Sequence, residues 1–185
     1  MSLTPLKRRF TVEEYYRMGV TGILTSDERV ELIEGQIVQM SPIGSRHAAC
    51  VALLMQHFFT ALALRTIVRA QNPVRLGDRS EPQPDLMLLK PKADFYASGH
   101  PGPSDVLLLI EVADSSAASD RETKFPLYAR AGIVEFWLLN LEKHQIEVCR
   151  DPQGDTYAST QTFPRGTSVS PRAFPDILVP VDTLP

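Results

Sequence analysis

Two carboxylates and one ammonium carry the chemistry that the sequence offers most directly. Asp85 follows Pro84 at the start of an apolar run, Glu111 closes the run Leu107 to Ile110, and Lys124 lies a short distance beyond it. Aliphatic residues in unbroken succession describe a strand buried on both faces. An acid placed directly after them needs a hydrogen-bond partner, a cation or a solvent-filled cleft, because burying it unpaired costs several kcal/mol. If the strands bearing Asp85 and Glu111 are neighbours, both carboxylates converge at one sheet edge as hard oxygen ligands for Mg²⁺ or Mn²⁺, with sites left for water and phosphate. A divalent ion there lowers the pKa of water and screens charge that builds in a phosphoryl transition state. A lysine alongside orients the attacking water and stabilises the same charge. The set suits hydrolysis of phosphodiesters.

Each residue also has a plainer reading. A lone Pro-Asp commonly opens a strand or caps a turn, and Glu111 could pair with an arginine at a strand end. Lys124 lies four residues after Asp120, the spacing of an exposed helical ion pair contributing about 0.2–0.5 kcal/mol. Asp114 and Asp120 read as caps of the helix that begins there, and Glu122 as part of its solvated face. Phe125, Tyr128, Phe136 and Trp137 read as packing between helix and strand, and His57, His100 and His144 show no metal-ligand spacing.

The elements that must position these groups follow from the pattern. Thr11 with Glu13 and Glu14 caps a short helix that ends near Gly19. Arg29 to Met40 reads as a hairpin or bent strand about Glu34-Gly35. From Arg46 to Arg65, Val51, Leu54, Met55, Phe58 and Leu62 recur at helical spacing. Strands are expected over 67–76, 85–89 and 106–112, then a helix from Asp120 to Ala131 containing Pro126 and closed by Gly132, then a strand over 134–139. Ile146 to Cys149, the turn at Gln153-Gly154 and the segment around Tyr157 form a last hairpin before a Pro-rich tail. The order helix, three strands, helix, strand, with extra hairpins at both ends, is that of an α/β domain built on a mixed sheet.

Composition narrows the class. A chain of 185 residues with 43% hydrophobic content fits one soluble domain, 1–185, with its core over about 29–150. Cys50 and Cys149 show neither zinc nor disulfide spacing and read as buried thiols of a reducing, cytoplasmic protein. No secretory signal is visible, and the apolar stretch Ala48 to Leu64, interrupted by Gln56, His57 and Thr60, reads as a core helix and not a membrane span. The net charge of −3 argues against a wholly basic nucleic-acid platform. Arg65, Arg69, Arg75 and Arg79 could still form a local positive edge facing phosphates, or simply be solvated.

Taken in order, "ERVELIEGQIVQMSP", His47 at the next helix start, "PQPDLMLL", "LLLIEVADSS", "DRETKFPLYARAGIVEFWLLN" and "IEVCR" resemble the Uma-two family of restriction endonucleases, within the PD-(D/E)xK nuclease superfamily. The resemblance runs from about Phe10 into the tail. It implies a restriction-endonuclease-like core that uses Mg²⁺ or Mn²⁺ to cut nucleic acid, with Asp85 and Glu111 as metal-binding acids. The superfamily's usual lysine position, two residues after Glu111, holds Ala113 here, and in families of this appearance the lysine comes from the next helix, which makes it Lys124. The resemblance also points to an acid of "VELIEG". Glu31 and Glu34 would face opposite sides of an extended segment, and Glu31 is preferred. His47, near a helix start that favours anions, is placed as a contact to substrate phosphate or to a metal-bound water, its plainer reading being a capping or packing histidine.

The expected function is therefore a metal-dependent endonuclease acting on nucleic acid, with DNA as the substrate and no membrane partner. Because restriction-type nucleases often pair subunits to cut two strands, a homodimer is an option. The competing reading is a catalytically silent nucleic-acid-binding or protein-interaction module on the same fold. A weaker one is a hydrolase of another phosphate ester.

Overall fold

A computed structural model describes residues 7–114 and 117–185, with the backbone alone for 117–120. Its centre is a six-stranded mixed sheet in which β3 (Ile67–Ala70), β4 (Leu86–Leu89), β5 (Val106–Ala113), β6 (Glu135–Asn140), β7 (Gln145–Gln153) and β8 (Thr156–Pro164) lie in sequence order. All neighbours are antiparallel except β5 and β6, which run parallel because helix α3 (Ala117–Arg130) crosses between them. Helix α2 (Ser45–Leu62) precedes the sheet, and helix α1 (Val12–Val20) and the hairpin β1 (Val30–Ile33)–β2 (Gln36–Gln39) open the chain.

Alternation along the strands divides the core between two faces. Leu86, Leu88, Leu108, Ile110, Val112 and Trp137 point to one side, against Cys50, Leu54, Phe58 and Leu62 of α2. Met87, Leu89, Leu109, Ala113 and Phe136 point to the other, against Tyr128, Ala129 and Ile133 at the end of α3. The tail, read from the sequence as merely Pro-rich, is structural. It contributes Val169, Phe174, Val179 and Leu184 to the α2 face and carries the short pair β9 (Ser168–Val169)–β10 (Val179–Pro180).

Local chemistry explains the turns that matter for the site. Thr11 and Glu14 exchange side-chain and backbone hydrogen bonds, a capping box that starts α1. Glu34 and Gly35 both have positive φ, 48° and 78°, the signature of a two-residue type I′ hairpin turn. Only glycine fits the second position, since a Cβ would come within 2.6 Å of Arg9 Cβ. At the end of α3, Gly132 adopts φ 80°, and the Gly132 and Ile133 amides donate to the Ala129 and Tyr128 carbonyls, a Schellman closure.

Two expectations need adjustment. The strand expected over 67–76 stops at Ala70, because Gln71 takes φ 53° and the chain leaves the sheet before Pro73. Pro126 lies well inside α3, since that helix begins earlier than the expected Asp120. Helix α2 is long and apolar enough, by length and composition, to cross a membrane. It nevertheless buries Cys50, Val51, Leu54, Phe58 and Leu62 against the sheet, while Leu53, Met55 and Phe59 stay exposed.

Candidate active site

The site forms where the carboxyl end of β5 meets the start of β4. Leu86 pairs with Ile110, and the same register carried one step further sets Asp85 opposite Glu111. The Asp85 Oδ2 atom accepts from the Val112 amide at 2.8 Å, so this carboxylate sits on the peptide that immediately follows Glu111. His47, in the first turn of α2, brings Nε2 to 2.9 Å from the same oxygen. The α2 start is pinned by Arg46, which donates to the Leu141 carbonyl at 2.6 Å and pairs with Asp114 at 3.4 Å.

Glu111 is 2% exposed, on the α3 face of the sheet. Two groups one helical turn apart on α3 reach it: Lys124 Nζ at 3.1 Å from Oε1, and the Tyr128 hydroxyl, donating to the same oxygen at 2.6 Å. Burial, followed by the charge of Glu111, pushes the Tyr128 phenol well above its ordinary pKa, so it remains a donor.

Glu31 arrives from the N-terminal hairpin. That hairpin docks on the segment leading to Asp85. Glu81 N–H donates to the Leu32 carbonyl at 2.8 Å, and the Gln83 amide donates to Glu31 Oε2 at 3.0 Å. Glu31 Oε1 then lies 3.7 Å from Lys124 Nζ. Of the two acids weighed in "VELIEG", Glu31 is the one beside Lys124. Glu34 sits in the exposed turn, paired with Arg130 at 2.6 Å.

Asp85, Glu111, Lys124, Glu31 and His47 are thus all brought to one place. Some plainer readings change. Lys124 faces Glu111 and Glu31, while the side chain of Asp120, its supposed helical partner, lies outside the described residues. Asp114 pairs with Arg46, and the expected cap position beyond it also lies outside the described residues. His47 contacts Asp85, an acid of the site, which places it beside the position where a substrate phosphate is expected. Tyr128 was missed, since a buried tyrosine on an apolar helix face reads as packing. Its spacing of four from Lys124 was the one available signal. The supposed positive edge is dispersed. Arg65 pairs with Asp176 at 2.5 Å, Arg75 approaches Asp78 at 3.6 Å, and Arg69 caps the Phe95 carbonyl at 2.8 Å.

Glu31, Asp85 and Glu111 outnumber the one lysine among them, and such a surplus of carboxylate favours a cation. Among the described residues, no three His, Cys, Asp or Glu side chains converge closely enough to enclose a metal ion. The donors fit an ion that needs no protein cage. Mg²⁺ is held through one or two carboxylates and keeps water and phosphate as its remaining ligands. Among the described residues, Asp85 makes its contacts to Val112 and His47 through Oδ2, so Oδ1 is the atom it would offer.

A mixed sheet bearing paired acids at a strand end and a lysine from the crossover helix is the architecture of the restriction-endonuclease-like nucleases. Over residues 12–182 the chain matches the model of the Uma2 family, described as "Putative restriction endonuclease", and it belongs to that family. Its structure is similar to the crystal structure of a putative nuclease belonging to DUF820 from Anabaena variabilis. The TM-score is 0.73 at 17% identity, over 95% of this chain and 97% of that one, a likeness of fold. No curated protein matches the chain.

Proposed function

We propose that the protein is a divalent-metal-dependent endonuclease that hydrolyses phosphodiester bonds of DNA, with Mg²⁺ or Mn²⁺ held by Asp85 and Glu111. The observation that carries this is the meeting of two acids from adjacent strands with the Lys124 ammonium, 3.1 Å from Glu111. A cation held there would acidify water and offset the charge that builds on the phosphate. Lys124 orients the attacking water and stabilises negative charge on the phosphoryl oxygens. As the water oxygen bonds to phosphorus it gives up a proton to solvent, and the sugar oxygen departs with the bonding electrons and takes a proton from solvent in return. Tyr128 and the Val112 amide fix Glu111 and Asp85 beforehand, and Glu31 holds Lys124 from its other side. A pair of chains would supply one site per DNA strand, and the buried free thiols Cys50 and Cys149 support a reducing, cytoplasmic setting.

The test is cleavage of supercoiled and linear DNA with Mg²⁺ or Mn²⁺ by the wild-type chain and by Asp85→Ala. Cleavage that disappears in the variant is expected. Failure to cut any form of DNA or RNA, or equal cutting by both chains, would overturn the reading. Calorimetric titration with Mn²⁺ separates it from a silent module on the same fold, because only the intact site loses Mn²⁺ binding in Glu111→Gln.

A further inference from the structure

The segment that delivers Asp85 also carries an acid that the hydrolytic site does not use. Glu81 is 3% exposed, fixed by a bridge to Leu32, and lies four residues before Asp85, about 13 Å away along extended chain. Among the described residues, no ion pair reaches it, and the Tyr16 hydroxyl, donating at 2.5 Å, is the side-chain donor that it has. A carboxylate has about four acceptor positions, and here it lines a cavity of about 310 Å³ with Tyr16, Arg75, Tyr96 and His100. The Tyr16 and His100 rings stack with centroids 6.4 Å apart and planes inclined by 19°. Phe95 and Tyr96 hold consecutive positive φ values of 49° and 61°, a strained turn that keeps Tyr96 buried in the wall.

The chemistry of this wall selects its ligand. Phosphate is repelled by a buried carboxylate, and a simple ammonium is disfavoured by Arg75 on the rim. A planar heterocycle with N–H donors on its edge meets all the groups at once: rings for its faces, Glu81 for its donors and Arg75 for a carbonyl. Guanine is the base that presents two adjacent N–H donors beside a carbonyl on its Watson–Crick edge. Thymine places carbonyl oxygens on both sides of its one N–H and would set a lone pair against Glu81.

We propose that this cavity is a nucleobase subsite that binds an unpaired guanine of the substrate through Glu81, with Tyr16 and His100 as its aromatic walls and Tyr96, whose ring is covered by Arg69 and Lys92, as structural support. The inference rests on the nucleic-acid reading above and goes beyond it by naming the base that is read. Pairing would occupy the edge that Glu81 needs, so the subsite acts on a single-stranded or extruded base.

Fluorescence anisotropy with labelled thymidine strands of about 12 nucleotides, carrying a central G, A, C or no substitution, tests it in buffer with Ca²⁺ in place of Mg²⁺. The G strand is expected to bind at least about fivefold more tightly than the all-T strand, and Glu81→Gln to reduce that preference below about twofold. His100→Ala, at the exposed rim, removes a stacking surface and should weaken the G strand about tenfold. That variant carries the test if Glu81→Gln fails to fold. Wild-type affinities within about twofold for all four strands, or a guanine preference that survives both substitutions, would overturn the subsite alone. Absence of binding to every strand would overturn it together with the nucleic-acid reading.

Discussion

Adjacent parallel strands each bury an acid, and the two acids lead opposite lives. Glu135 opens β6 on the α2 face with no exposure at all. Its carboxylate accepts from Trp137 Nε1 at 2.9 Å, Arg150 Nε at 2.8 Å and the Arg172 amide at 2.7 Å, while Arg150 Nη2 stands 2.6 Å away. Donors and a cation surround it, and among the described residues no second acid shares them. Glu111, on the α3 face of β5, shares Lys124 with Glu31 and sits beside Asp85. Burial is therefore not what marks a chemical acid. What separates the two is the balance of charge around each: Glu135 is met by Arg150 and neutral donors, whereas Glu111 shares one lysine with a second acid, the arrangement from which the proposed cation site is argued.

That contrast can be broken by substitution at either acid. Asp85→Ala or Glu111→Gln is expected to reduce DNA cleavage by about 10³-fold or more, corresponding to several kcal/mol of charge stabilisation. Both changes also remove contacts, since Glu111→Gln weakens those from Lys124 and Tyr128 and Asp85→Ala leaves the Val112 amide without its acceptor, so cleavage is compared per folded molecule. Glu135→Gln should act on stability alone. It leaves Arg150 beside a neutral amide in a buried setting and should cost about 3–5 kcal/mol in urea unfolding, with cleavage per folded molecule retained. A cost under about 1 kcal/mol would show that Glu135 is not the structural counterpart argued here.

Lys124→Met removes the cation that Glu111 and Glu31 share. Cleavage is expected to fall about 10²-fold, yet Mn²⁺ should bind at least as tightly by calorimetry, since the cluster becomes more negative. Weaker Mn²⁺ binding in this variant would mean that Lys124 organises the acids and does not simply compete for their charge.

Much of this was legible in the sequence because it depends on spacing along single elements. The run Leu107 to Ile110 marked an inner strand, Asp85 and Glu111 flanked adjacent apolar runs, and Lys124 fell on the following helix. Glu135 was not singled out, although "VEFWLLN" sets an acid in an apolar strand much as "LLLIEVA" does. Its neutralising partners, Arg150 and the Arg172 amide, lie 15 and 37 residues away, and no local pattern announces such pairings. The same limit hid the docking of Glu31 through the Gln83 amide, the placing of His47 on Asp85, and the tail's contribution to the core. Each is a contact between segments whose relative position only the folded sheet decides.

Tyr128 joins the two themes, since it belongs to the packed α3 face and touches the chemical acid. Tyr128→Phe removes one hydroxyl that donates to a carboxylate, with an expected loss of about 1.5–3 kcal/mol in stability and a smaller fall in cleavage than Lys124→Met. The pH dependence carries a sign. The folded-state pKa of this phenol is raised above its unfolded value, by burial first and by Glu111 second. Its stabilisation is therefore fully present below about pH 10, the unfolded value, and is lost as pH rises through the folded one. Burial also raises Tyr15, Tyr16, Tyr96 and Tyr157 and the thiols Cys50 and Cys149, so wild-type stability should decline through all of these groups as the pH becomes alkaline. Denaturant unfolding repeated across the alkaline range should show a shallower decline in Tyr128→Phe than in the wild type. Parallel curves for the two proteins would mean that the Tyr128 hydroxyl is not held protonated by its burial and its contact with Glu111.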